Sequence, residues 1–339
     1  MKTDPIPVLM SGDDASRTMS FVLPSNLETG RIPKPADRLG ALRLGLCCQF
    51  AAQPIKFRTT TAAALQRKTR REQLRQLADL CATNADSLLA ALQFCAAHGI
   101  RSFRIASSLL PVKTHPTVGY RIDELPDADD IVAQFRHCGE YAHLQGIRTG
   151  FHPDQFVVLN SPDDGIVSRS IADLESHAEL AEWTNADTVN IHGGGGYGDK
   201  PAALERFRRN LGRLSLRVRS RLTVENDDKT FTPADLLPLC RAEGVPLVYD
   251  AHHHRCCPDD LTLKQATTAA RATWNREPLF HLSSPLNGWQ GPKPERHHDY
   301  VDPMDFPAAW RGLALTVEVE AKAKELALAR LQRHLDFAE

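Results

Sequence analysis

Nine residues, Val248-Tyr-Asp-Ala-His-His-His-Arg-Cys256, set an aspartate and three consecutive histidines directly behind an apolar run. Imidazole nitrogen and carboxylate oxygen are the donors that zinc, manganese and iron accept, so Asp250 with any of His252, His253 and His254 is a candidate metal site. Similar donors recur along the chain, each close behind a short apolar run. They are His115 in LLPVKTHP, His152 in FHPDQF, His192 in NIHGGGGYGDK and Glu225 in LTVENDD. His281 follows in FHLSSP, His298 in the next loop, and Glu320 in LTVEVEAKAKE. Several carboxylates sharing one cavity repel each other and take up protons, a cost that divalent cations remove. The mixture of nitrogen and oxygen without convincing thiolates favours zinc, manganese or iron over calcium. So many donors exceed one ion's needs, and two or three ions are expected. Clustered ions suit hydrolysis of a phosphodiester, one activating water and another stabilising the leaving oxygen.

These donors act together only if the fold brings them to one place. Strand-like runs bounded by turn residues occur at 41–48, 101–108, 147–152, 187–193, 221–226, 245–250, 278–284 and 313–320. Helical patterns follow them at about 69–98, 127–145, 168–185, 201–219, 233–243, 259–273, 303–310 (short) and 321–335. Eight strand–helix pairs in strict alternation predict a parallel β/α architecture. No Gly-x-Gly-x-x-Gly follows the first strand, which favours a closed (β/α)8 TIM barrel over a doubly wound sheet. In such a barrel every strand's C-terminal end opens on the same face, where the donors above all fall. In the 201–219 pattern, Phe207, Leu211, Leu214 and Val218 make one apolar stripe, and Arg206, Arg209, Arg213 and Arg217 a neighbouring basic one.

The 339 residues, 42% of them hydrophobic, suffice for one large domain. Residues 1–38 carry scattered Pro, Gly, Ser and Asp without a period and are expected to form a flexible arm before a barrel domain at 39–339. A net charge of −1 gives no global sign of nucleic acid, so basic surface must be local. Two stretches supply it: 200–221, with eight Lys/Arg against Glu205, and Lys56, Arg58, Arg67, Lys68, Arg70, Arg71 and Arg75 against Glu72. Either is a solvated helix face or a surface that tracks phosphates. The eight cysteines include the neighbours Cys47-Cys48 and Cys256-Cys257 and no Cys-x-x-Cys, and no signal-peptide h-region is evident. A reduced, cytoplasmic protein is expected. The glycine run 193–196 lacks the Gly-Lys-Ser/Thr ending of a phosphate loop; it either lets backbone approach a metal or strand, or makes a tight turn.

Taken in order, RLG at 43–45, SLLPVKTHP, HPDQF, the His-Gly-Gly…Tyr-Gly-Asp-Lys of 192–200, ENDD, Asp-x-x-His at 250–253, HLSSP, HHDYV and VEAKAKE resemble the UV-damage endonuclease family over about residues 42–330. The resemblance implies a TIM barrel holding divalent metals, most often manganese. It also implies cleavage of damaged double-stranded DNA on the 5′ side of a UV photoproduct, as a step in excision repair. Carried over by position, the implied metal ligands are His115, His152, His192, Glu225, Asp250, His253, His281, His298 and Glu320. His298 is taken over His297 because it directly precedes Asp-Tyr-Val, and His252 and His254 fall to supporting or loop roles. Glu225, Glu320 and His253 are the catalytic candidates, and Asn226, Asp227 and Lys229 are candidates to orient water or phosphate. Gln155 and Phe156 match the residues that the family inserts into the duplex to probe a lesion.

Three positions depart from the pattern. Leu279 stands where the family has a lysine modified to bridge metals, Phe156 where it has tyrosine, and Leu46 where it has an aromatic early in the first strand. Loss of the bridging group should weaken or remove one metal position. Two further readings therefore stand beside the endonuclease: a metal-dependent sugar isomerase or epimerase on the same barrel, and a catalytically reduced lesion-binding relative. The expected protein is a monomer with no organic cofactor and no membrane partner.

Overall fold

A computed structural model describes residues 42–336; the arm expected at 1–38 lies outside them. The first half runs β1 (Leu42–Cys47), α1 (Ala62–Leu65), α2 (Arg70–Ala97), β2 (Ser102–Ile105), α3 (Ala128–Leu144), β3 (Arg148–Phe151), α4 (Asp164–Trp183) and β4 (Thr188–His192). The second half runs α5 (Lys200–Leu211), α6 (Leu216–Arg219), β5 (Leu222–Glu225), α7 (Pro233–Glu243), β6 (Leu247–Asp250), α8 (Ala251–Cys256), α9 (Leu263–Arg271), β7 (Leu279–Leu282), β8 (Leu315–Val319) and α10 (Lys324–Asp336). The eight strands pair in sequence order, all parallel, and β8 returns to β1 to close the barrel.

The strands are short and buried along nearly their whole length, because one face meets the helices and the other the barrel interior. Outward residues such as Leu46, Phe103, Val224, Tyr249 and Phe280 join Phe135, Phe207 and Trp310 in the apolar layer between strands and helices. Polar residues concentrate on the inward face: Ser102, Arg104, Asn190, Thr223, Glu225, His281, Thr316 and Glu318 are all buried. Gly45 lies level with Ser102 on β2 and Glu318 on β8. A Cβ there would stand 3.0 Å from Ser102 Cβ and 3.1 Å from Glu318 Cγ, so the missing side chain makes room for a buried carboxylate.

By length and composition α2 could cross a membrane, yet Leu77, Cys81, Leu88 and Leu92 on it are packed into the core. It starts in a capping box of Thr69 and Glu72, and α3 packs alongside. The pattern expected as one helix over 201–219 is two helices. The chain turns at Gly212, and Ser215 restarts the helix by accepting from the Val218 amide while donating to Glu175. The apolar stripe survives the break, with Phe207, Leu211, Leu214 and Val218 all buried. Its basic neighbour ties down the fold: Arg206 donates to the Asn160 carbonyl, and Arg213 and Arg217 pair with Asp164 and Glu182 on α4 at 2.6 and 3.1 Å. The short helix expected at 303–310 is two 3-10 turns interrupted at Phe306 and Pro307. All eight cysteines are free thiols.

Candidate metal centre

Glu225, the last residue of β5, is the centre of the site. It is fully buried, and its two carboxylate oxygens face different neighbours. Oε2 lies 2.9 Å from His152 Nε2 and accepts from Asn190 Nδ2 at 2.6 Å. Oε1 lies 3.0 Å from His281 Nδ1 and 3.3 Å from His253 Nδ1. Burial alone would raise this carboxyl, but the imidazoles of His281, His192, His152 and His253 outweigh it and hold it well below the usual carboxylate range.

The parallel ladder explains the convergence. His192 and Glu225 are register partners, as are Asp250 and His281, and because Glu225 is level with Val248 the second pair stands two residues farther along its strands toward the mouth. The three histidines after Asp250 are helical. Asp250 caps α8 by accepting from the His253 amide at 2.7 Å, and one helical turn brings His253 back over the site. His254 instead bonds Tyr249 and Asp259, at 2.7 and 2.9 Å, and supports the loop. His252 is fully buried against Trp289 and His297.

Two groups of donors are close enough to hold an ion: His152, His192 and Glu225, and Glu225, Asp250 and His253, the ligand atoms of each lying within 4.8 Å of one another. Both groups contain buried atoms without a hydrogen-bond partner in the protein, His192 Nδ1 and Asp250 Oδ2. Such atoms are costly unless something outside the chain satisfies them, and a divalent cation suits nitrogen and carboxylate oxygen together. Burial depresses the His192 imidazole, which keeps it in the neutral form a metal needs. His253 is held the other way: burial opposes its charge, but Asp250 and Glu225 raise it well above the ordinary value.

The remaining expected residues fall into three positions. His281 and Glu320 adjoin the cluster, with His281 Nδ1 3.5 Å from Glu320 Oε1. His115 lines the wall of the cleft above, where its Nδ1 accepts from the Thr117 amide, and it belongs to neither donor group. His298 is turned away, its Nδ1 accepting from the Tyr300 amide at 3.0 Å. His297 takes the place expected for it, 3.6 Å from Glu320 Oε2 and beside His253. The loop register decides this: His297 bridges Pro285, and the His298 amide donates to the Ser284 carbonyl. Asn226 and Asp227 both hold backbone in place, and Asp227 also lines the cleft. Asn226 joins β5 to β6 through both polar groups of Asp250's backbone, and Asp227 accepts from the amides of Lys229, Thr230 and Phe231.

Arg104 and Glu318 went unforeseen. The Arg104 guanidinium lies inside the barrel, 2.5 Å from Glu318, 2.6 Å from Glu320 and 2.8 Å from His281 Nε2. Burial would raise the Glu318 carboxyl, but Arg104 and His281 bring it down to about 2. Burial likewise pulls the His281 imidazole down, and Glu225 and Glu318 carry it up to about 10. The signal was present in the alternation of Val-Glu-Val-Glu, which sends Glu318 to the same face as Glu320.

Above the cluster opens a cleft of about 1080 Å³, whose walls include Gln155, Phe156, Arg169, Tyr197 and Lys229. Phe156 is 76% exposed, on a turn that Asp154 fixes by accepting from the Phe156 amide. The connection from β1 to α2 rises at this same end of the barrel. On and beside it, Lys56, Arg58, Arg67, Lys68, Arg71 and Arg75 are exposed and form no ion pair among the described residues.

The family model "UV-endonuclease UvdE" matches residues 38–339. The chain is 35% identical to the UV DNA damage endonuclease of Bacillus velezensis, covering 85% of this chain and 91% of that protein. It is 35% identical to the UV DNA damage endonuclease of Deinococcus radiodurans, covering 87% and 96%. Among solved structures, the crystal structure of SacUVDE superposes with a TM-score of 0.78 at 26% identity, covering 88% of this chain and 99% of that one.

Proposed function

The chain belongs to the UV-endonuclease UvdE family, and on that premise we propose that it nicks damaged double-stranded DNA on the 5′ side of UV photoproducts or related lesions. The observation that carries the proposal is the Glu225-centred cluster on the floor of a wide cleft, with an exposed Phe156 on its wall. An aromatic left 76% exposed on the rim of so wide a cleft suits insertion into a large substrate better than closure around a small sugar.

Glu225 with His152 and His192, and Glu225 with Asp250 and His253, would hold divalent ions, manganese being the metal we favour. His281, Glu320 and His297 complete the surroundings. Such ions supply Lewis acidity to a phosphodiester and lower the pKa of water. The protein positions the reactants. Asn190 fixes the Glu225 carboxylate from below, and Asn226 fixes the strand end that carries Asp250, so the donors are oriented before substrate arrives. Arg169 and Lys229, the latter 3.6 Å from Asp228, are the cations that the cleft wall offers to phosphate. Gln155 and Phe156 would enter the duplex and occupy the space of unstacked bases, which a lesion makes easier to displace. The exposed basic residues near α2 are suited to following the strand outside the cleft. We read residues 39–339 as the endonuclease domain of a cytoplasmic monomer without an organic cofactor, and the free thiols support a reducing compartment.

The test is a duplex bearing one UV photoproduct, offered with manganese beside an undamaged duplex and common ketoses. Nicking 5′ to the lesion is expected. Phe156→Ala should weaken lesion binding roughly tenfold, as loss of a base–aromatic contact does, with melting unchanged because the ring is exposed. Sugar turnover without nicking would overturn the proposal, and lesion binding without nicking would mark a catalytically reduced relative.

A further inference from the structure

We propose that Arg104 is a built-in cation that limits the centre to two ions, Glu318 being the carboxylate that locks it in place. The inference rests on the reading of the Glu225 cluster as a metal centre and concerns how many ions it takes. Apart from His115 on the cleft wall and His297 at the border, seven donors meet at the strand ends: His152, His192, Glu225, Asp250, His253, His281 and Glu320. They divide unequally. Five of them fall into the two groups that share Glu225. The other two, His281 and Glu320, lie at the corner that the Arg104 guanidinium occupies.

That corner has the composition of a third ion position. Glu318 Oε2, Glu320 Oε1 and His281 Nε2 are carboxylate, carboxylate and imidazole, yet each faces a different nitrogen of Arg104 at 2.5, 2.6 and 2.8 Å. His281 Nε2 also lies 3.1 Å from Glu318 Oε2, which closes the group on itself. An ion entering there would have to displace a guanidinium that is itself buried and held at three of its nitrogens. Beneath it on the same face of β7, Leu279 is buried and offers no donor.

Arg104 is thus a positioning residue: it orients Glu320 and His281 and excludes an ion. Manganese titration of the full-length protein, counted by electron paramagnetic resonance and elemental analysis, should reach two ions per chain. Arg104→Met frees the corner and should bind three, with a melting temperature that becomes strongly manganese-dependent. Arg104→Lys should stay at two. The double variant Arg104→Met/Glu318→Met, which removes both the cation and its locking carboxylate, should also return to two. Three ions in the unaltered protein overturn the inference while leaving the metal centre intact; no ions at all overturn both. Two ions in a folded Arg104→Met protein overturn it, as does failure of that variant to fold at saturating manganese, since the metal would then be no replacement for the guanidinium.

Discussion

The two halves of the site meet the same problem in opposite ways. On the Arg104 side, carboxylates and imidazole are neutralised and bonded by the chain's own guanidinium. On the Glu225 side, Asp250 Oδ2 and His192 Nδ1 are buried without a hydrogen bond, Asp250 Oδ2 lying 3.6 Å from His253 Nδ1, and imidazoles crowd a single carboxylate. Buried ionic groups must be paired or ligated, and the unfinished half is the one that requires something from outside. On the proposed function one half serves the fold and the other the chemistry, although both are made of the same residue types within a few ångströms of each other.

The sharpest way to break this contrast is to remove the hub of the open half. Glu225→Ala takes a ligand from both donor groups and should lower the nicking rate by roughly 10⁴-fold or more, about 5.5 kcal/mol of barrier, with loss of ion uptake in the same titration. Equal nicking in that variant would show that the donors do not act as one centre. Next in size is Glu318→Ala in the closed half. It leaves a buried guanidinium half-paired and should cost about 3–5 kcal/mol of stability, measured by denaturant unfolding without metal. A change below ~1 kcal/mol would mean that the closed half contributes nothing to the fold.

Smaller effects separate the two neighbouring histidines at the border. His297→Ala should weaken ion affinity about 10–100-fold, as loss of an orienting partner does, whereas His298→Ala should leave it unchanged. The reverse result would restore the assignment that adjacency to Asp-Tyr-Val suggested. The smallest signal is protonic. Asp250 and Glu225 raise the His253 imidazole well above its ordinary value in the ion-free protein, which favours its protonated form. Ions bind the deprotonated form, so affinity should rise with pH, and calorimetry in buffers of different ionisation enthalpy should detect about one proton released per chain. No dependence on the buffer would mean that His253 does not act as a ligand.

Most of the open half was legible in the sequence, because a parallel barrel turns position along the chain into position in space: any donor at a strand end must face the mouth. Asp250, Glu225 and His192 needed no further information. The closed half was not legible for a related reason. Arg104 sits in Phe-Arg-Ile, and a charge amid apolar residues is ordinarily taken for the exposed side of a strand, whereas in a barrel of this kind both faces are covered. The choice between His297 and His298 depended on a loop bridge to Pro285 that no spacing rule contains. The break at Gly212 was hidden because the apolar stripe continues across it. The helical form of the three histidines was decided by Asp250, whose capping oxygen is as local a signal as its ligand role.

Gly45 gives the closed half a history as well as a geometry. It belongs to the first strand and touches Glu318 of the last, so the two meet only after nearly the whole described chain has been made and arranged. Until that joint forms, β1 and β8 each present an open edge and Glu318 keeps its shell of water. Sealing the ring dehydrates the carboxylate, traps it against Arg104 and removes both edges in one event of very long sequence separation, the kind that folds slowly. The absent side chain at 45 is what leaves room for that seam to close. A bulkier residue would prolong the interval in which the chain is an open sheet, exposed to pairing with other chains.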